Sequence, residues 1–316
     1  SGNIDMTAGP LFVITQNGTP GGSVTNFGDD ITITADTITI DGGTLGGISA
    51  NRFIDLIADD MDILSNVIGS QRIGLATRSL ARAIDLGTNS VGNLGITDAE
   101  LDKLSSTLIT IATQLAGTAA ISFTAPITNT QPGLIVVTNG VIQVNSDINR
   151  GNTPLVLFGN LGITGTGAIT SSHLTASSPG GNIHLTGPLS LGLLQFNAAG
   201  SAAFLGNANN LSKIGTSSAG AGPFSIGITT GPGNLTIDGT ITSGGGGVFV
   251  TTGGNLLFDP GSQINAQSIQ LDLEDGYLIN NAGPNALNLN IPGGRYVVYE
   301  KDPFSPHNKG GLTGID

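Results

Sequence analysis

The chain contains no cysteine and no tryptophan; aromatic residues make up only 4% of it and charged residues 10%. Without cysteine there is no disulfide framework, no thiol nucleophile and no thiolate zinc site. No apolar run reaches the roughly 18 residues that a membrane-spanning helix requires. Ten basic residues stand against 22 acidic ones, a net charge of −12, so little could offset the phosphates of a nucleic acid or an anionic lipid surface. Ordinary globular chains carry about 25% charged residues. Low charge does not signal disorder here, because 38% of the residues are apolar and they recur periodically.

What is present is short, repeated alternation. In residues 29–64 the apolar positions Ile31, Ile33, Ile38, Ile40, Ile54, Leu56, Met61 and Ile63 alternate with Thr, Asp and other polar residues. Period two marks strands with one buried face. The strands are four or five residues long, and Ala35-Asp36, Asp41-Gly42-Gly43 and Asn51-Arg52 bend the chain between them. Strand and corner recurring at about twenty residues is the pattern of a β-solenoid. The 50 glycines fit it, since tight corners need backbone freedom while the faces need Ile, Val, Leu and Thr. The fold class is therefore all-β, a parallel β-helix over residues 1–294, with roughly 14 coils at this spacing.

The opening residues fit as coils whose corner includes Gly18-Thr19-Pro20-Gly21-Gly22. The chain starts in mid-pattern, which predicts a mature or excised segment of something longer. The alternation breaks at residues 97–104, where Thr97 and Glu100 have the spacing of a capping box and predict one short helix of about two turns. Residues 151–237 hold a single charged residue, Lys213, so ladders of Thr, Ser and Asn are expected in place of ion pairs. Residues 295–316 differ again, with Arg295, Tyr296, Tyr299, Lys301 and Lys309 close together and Pro303 and Pro306 against further regular coils. They predict a non-coil tail that either caps its own coils or joins a neighbour.

Catalytic chemistry finds little support. Polysaccharide-cleaving β-helices need clustered carboxylates with Arg, Lys or His beside them. Asp59-Asp60 has the paired aspartates of a polygalacturonase without the Gly-His-Gly and Arg-Ile-Lys elements that accompany them. Asp59, Asp60 and Asp62 form the one candidate metal cluster, a calcium site, against the alternative of solvated corner residues. Asp29-Asp30 need not align with them. The Gly-Gly-x-Gly-x-Asp nonapeptide of calcium-binding β-rolls is absent. His173 and His184 read as outward strand positions and His307 as a solvated tail residue. Gly244–Gly247 lacks the Lys-Ser/Thr of a phosphate loop and reads as a wide corner. Arg52, Arg72, Arg78 and Arg82 lie among Asp55, Asp59, Asp60, Asp62 and Asp85, which predicts ion pairs between coils, with a polyanion-binding face as the alternative. No cofactor is expected.

Residues 84–127, IDLGTNSVGNLGITDAELDKLSSTLITIATQLAGTAAISFTAPI, resemble a segment of large filamentous-haemagglutinin-like exoproteins of bacteria. The terminal GGRYVVYEKDPFSPHNKGGLTG is similar to the stretch that follows the β-helix in the same proteins. Together they cover about a fifth of the chain. The resemblance implies a right-handed β-helix secreted through a partner outer-membrane pore, with a surface or adhesive role. It implies an internal or carboxy-terminal piece, since the amino-terminal secretion module of that family is missing.

The expectation is a non-enzymatic, extracellular protein of the bacterial cell surface, a β-helix that stacks head to tail into a fibre. Its partners would be other copies of itself, and cell-surface or matrix carbohydrate, with no nucleic acid and no membrane insertion. Arg295, Tyr296, Val297, Val298 and Tyr299 are the expected joining strand. The alternatives are a monomeric adhesin and a carbohydrate-binding or carbohydrate-cleaving β-helix; the lack of tryptophan leaves the latter little for sugar stacking.

Overall fold

Parallel strands of four or five residues recur from one end of the sequence to the other, and together they make an all-β solenoid of about 12 turns. The computed structural model describes residues 4–7, 11–15, 23–26, 30–41, 47–129, 133–206, 210–220, 224–302 and 308–312. Asp29, the Gly18–Gly22 and Gly42-Gly43 corners, Pro303, Pro306 and His307 lie outside the described residues. Two compact units divide the chain, Ser1–Gly159 and Asn160–Asp316.

In the first unit one face stacks Ile4–Thr7, Asp30–Thr34, Phe53–Ile57, Arg72–Ala76, Ile109–Ala112, Leu134–Thr138 and Pro154–Gly159 in parallel and in that order. The register aligns Ile31, Ile54, Ile73, Ile109, Leu134 and Leu155 into a column that solvent does not reach. Each such side chain contributes roughly 1.5–3 kcal/mol by leaving water. A second face holds Leu11–Thr15, Thr37–Asp41 and Asp60–Ile63, and a third holds Ser23–Asn26, Gly47–Ala50, Asn66–Gly69 and Leu104–Ser105. Ile84–Leu86, Ile121–Phe123 and Val141–Val144 make a further stack. Leu94–Ile96 pairs with the other side of Ile84–Leu86, so the chain doubles back to insert a rung out of sequence order. The return from Ile73 to Ile109 is long because it holds this extra rung and the helix. Long returns of this kind are why the turns number about 12 where a twenty-residue spacing predicts roughly 14.

The helix is shorter than its sequence suggests, one turn at Asp98–Leu101 with Thr97 as N-cap and both halves of the capping box formed. Glu100 does more than cap it. Its Oε2 accepts from Thr97 N and Thr97 Oγ1, both at 2.8 Å, while its Oε1 accepts the buried Ile63 amide at 3.0 Å. On the other side Asp98 accepts from Thr128 N and Oγ1, and Asn129 Nδ2 donates to Leu101 O at 2.8 Å. Arg150, fully buried, donates to the carbonyl and the side-chain oxygen of Asn129. Burial pushes its pKa down to about 10, with the Asp98 charge acting in the opposite direction.

In the second unit one face carries the ten-residue strands Ile169–Ser178 and Leu189–Ala198, then shorter pairs through Leu278–Asn280 and Leu287–Leu289. The other stacks Gly162–Gly165, Asn182–Leu185, Ala202–Phe204, Phe224–Thr230, Gly247–Thr252, Ser268–Leu273 and Arg295–Glu300. The coil register thus persists through Glu300, six residues beyond the expected boundary at 294. Polar ladders run along the surface as the low charge predicts: Asn182 Oδ1 accepts from Ser201 N, Ser218 Oγ donates to Asn197 Oδ1, and Asn288 Nδ2 donates to Asn265 Oδ1. Lys213 sits between Asp238 at 3.1 Å and Asp259 at 3.8 Å, and the hydrogen bond and charge of Asp238 raise its pKa.

Glu100→Ala should cost about 2–4 kcal/mol in a denaturant titration, because it removes a cap and leaves the Ile63 amide buried and unpaired. Glu100→Gln, which keeps an acceptor for that amide, should cost about half as much.

Candidate functional site

The three aspartates singled out in the sequence separate according to strand geometry. Asp60–Ile63 alternates half-buried and buried, so Met61 and Ile63 enter the core while Asp60 and Asp62 share the outer face. Asp59 precedes the strand, at the corner. Its carboxylate accepts from Arg78 N at 3.0 Å, Ser79 N at 2.8 Å and Ser79 Oγ, which fixes the corner of the next coil. It is a corner brace, turned to the turn at 78–79. Among the described residues no group of three or more His, Cys, Asp or Glu could hold a metal ion.

Asp60 and Asp62 line an open concavity of about 420 Å³ with Arg82, Asn89, Ser90 and Asn93. Arg82 donates to two carbonyls, Asp59 O at 2.8 Å and Gly92 O at 2.7 Å, and so makes none of the carboxylate pairs expected of it. Asn93 Nδ2 donates to Asp85 at 3.1 Å beneath. The other three arginines do bridge coils, Arg72 to both oxygens of Asp55 at 2.7 Å, Arg78 to Asp36, and Arg52 to Asp30 at 3.9 Å. Arg52 and Arg72 also flank the Phe53 ring. All three pairs are partly exposed, so each adds at most about 1 kcal/mol.

Neither described histidine, His173 or His184, forms an ion pair with a carboxylate among the described residues. His173 Nε2 meets Gln195 Oε1 at 2.9 Å and Thr175 Oγ1 at 3.2 Å, and His184 occupies an outward position beside Thr164 and Ala203. Of the four-glycine run, Gly244–Gly246 make a corner closed by Ser243, whose Oγ donates to Gly246 O and accepts from Gly246 N, while Gly247 opens the next strand.

The second candidate is the edge formed by Arg295–Glu300. It pairs on one side only, in parallel with Ser268–Leu273, and no other strand among the described residues pairs with it. The register puts Tyr296 over Ile269 and Val298 over Leu271, so both continue columns that run Val248–Ile269 and Val250–Leu271 below. Ile269 and Leu271 are buried, whereas Tyr296 and Val298 are half-buried because no further rung covers them. Outward-facing Val297 and Tyr299 are 41% and 54% exposed. The expected joining residues are thus the last rung of their own chain's sheet. Their sequence cues, tyrosines and flanking charge, do not show this register; the alternation Tyr296-Val298-Glu300 does.

Asp59→Ala should lower stability by about 1–2 kcal/mol through the lost corner hydrogen bonds. Asp60→Ala and Asp62→Ala, whose side chains hold nothing in place, should stay within about 0.5 kcal/mol of the parent in the same thermal melts. Compared with protein-family models, with curated proteins and with solved structures, the chain finds no match in any of the three.

Proposed function

We propose that this chain is a non-enzymatic structural and adhesive β-helix of the bacterial cell surface that joins copies of itself head to tail into a fibre. The observation that supports the reading is the unfinished rung at Arg295–Glu300. Tyr296 and Val298 carry core columns to this strand and stop there half-buried, and among the described residues no further strand pairs beyond them. An open sheet edge is a template for another strand. In a parallel solenoid the natural complement is a first coil of the same kind, since that restores both the ladder and the apolar columns.

The first unit offers such an edge. Ile4–Thr7, Leu11–Thr15 and Ser23–Asn26 each pair on one side with the following coil, and no strand among the described residues pairs with the other. A contact between two different edges does not close on itself, so it propagates. The secreted, adhesive part of the reading draws on the likeness of residues 84–127 and 293–314 to filamentous-haemagglutinin-like exoproteins. The concavity at Asp60 and Asp62 is open, and the neighbouring Asp59 carboxylate is taken up in bracing the corner at 78–79.

Sedimentation velocity and electron microscopy over a rising concentration series should show filaments of the purified chain. Replacing both Val297 and Tyr299 by Lys puts charge on the outer face of the edge strand, and should abolish the filaments while leaving the melting temperature within a few degrees. A parent chain that stays monomeric throughout the series rules the fibre out.

A further inference from the structure

The last turn of the second unit does not leave all its edges open. Leu278–Asn280 pairs below with Leu256–Phe258, and Leu256 N donates to Tyr277 O while Asn281 N donates back to Phe258 O. That alternation points the amides of Leu278 and Asn280 away from the coil beneath, toward the place where a following rung would lie. Both are satisfied by the chain's own tail. Leu278 N donates to Glu300 Oε1 at 2.9 Å, and Asn280 N donates to Asn308 O at 2.7 Å.

The side chains repeat the arrangement. The apolar column that includes Phe258 passes to Asn280, fully buried and polar. Asn280 Nδ2 donates to Gly283 O at 2.8 Å and Lys309 O at 3.1 Å, and its Oδ1 accepts from Ala282 N and Gly283 N. Asn308 Nδ2 donates to Asn281 Oδ1 at 3.0 Å, and Lys309 Nζ lies 3.5 Å from the buried Glu300 carboxylate. Gly310 has φ +59, and a Cβ there would lie 2.4 Å from Asn280 Nδ2, so only glycine lets the tail sit this close.

We propose that residues 308–310 are a displaceable cap over the Leu278–Asn280 edge, an autoinhibitory contact that holds back addition of the next copy at the end where Arg295–Glu300 stands open. The proposal rests on the head-to-tail reading above and adds its regulation. A next rung must supply the acceptor that Asn308 now provides to Asn280, so the tail and an incoming strand compete for one donor. Hydrogen bonds and an ion pair tie segment 308–310 to the turn, whereas the strands beneath it are held by apolar columns. It is the part of the turn that leaves most easily.

Gly310→Ala and Lys309→Glu, each made in the full chain, test this. Amide exchange at Asn280 should quicken roughly tenfold in both, with Leu256 as the unaffected internal reference. The lag before filament growth should shorten by a similar factor. An Asn281→Cys, Asn308→Cys chain, which carries the molecule's only thiols, should assemble more slowly than the parent once a short thiol-to-thiol linker joins the pair. Faster exchange and a shorter lag support the cap as the brake. Unchanged exchange at Asn280 overturns the cap whatever the filaments do. Faster exchange with an unchanged or longer lag, or linking that does not slow growth, overturns its inhibitory role. Faster exchange with no filaments from parent or variants overturns the head-to-tail reading itself, and the regulation with it.

Discussion

Every coil of this protein completes the hydrogen bonding of the coil before it, and that dependence governs the rest. In a parallel ladder a strand satisfies half of its amides and carbonyls on each side. Ile73 N donates forward to Leu108 O, Ile109 N to Gly133 O, and Leu256 N to Tyr277 O. The same step that closes one edge opens the next, so the problem is only moved along the chain until something other than a coil ends it. The interior grows in the same manner, because a column such as Ile31-Ile54-Ile73-Ile109 is dry only where a rung lies on both sides.

Low charge and abundant glycine follow from this stacking. Like residues sit over like at a rung spacing of about 4.8 Å, so a charged position repeated in every coil would repel itself. Polar residues that both donate and accept can repeat without that cost. Thr77, Thr113 and Thr138 do so inside the first unit, with Thr113 Oγ1 donating to Thr138 Oγ1 at 2.8 Å. Where charge does appear, opposite charges pair between coils, as Arg72 does with Asp55 and Lys213 with Asp238 and Asp259. Close approach of corner to corner explains the glycines: a Cβ on Gly181 would lie 2.1 Å from Leu161 O.

Local features were legible in the sequence and pairings that depend on distant chain were not. Alternating Ile and Thr at residues 31–40 shows inward and outward positions directly, because a strand's period is a property of consecutive residues. Thr97 and Glu100 show the helix start for the same reason, yet not that Glu100 also takes the Ile63 amide, which is 37 residues away. The extra rung Leu94–Ile96 is invisible for a like cause: Leu-Gly-Ile is a plausible strand anywhere, and only the third dimension puts it beside Ile84–Leu86. Of the three aspartates, composition cannot say that Asp59 braces the corner while Asp60 and Asp62 face outward. A one-residue offset decides it. The four arginines read as coil-bridging partners, and three are; Arg82 turns to carbonyls because Asp59 O and Gly92 O converge on it.

The two faces of the second unit end differently, and the difference is informative. One column reaches Asn280, where an amide replaces the Phe258 ring and both polar atoms of the side chain find partners in the loop or the tail. The other reaches Tyr296 and Val298, apolar to the last rung. A chain selected only to stop would be expected to end both columns in polar residues, since an exposed apolar edge invites association. A chain selected only to continue would end neither. Here a polar, hydrogen-bonded end lies next to an apolar strand that pairs with a strand on one side only, and Glu300 joins them: it closes the Arg295–Glu300 strand and accepts from the Leu278 amide. On the head-to-tail proposal, growth that starts at the open face would have to disturb the closed one, because a new coil must cover both. In the proposed assembly, that coupling would let the edge add a copy only when a specific polar contact yields.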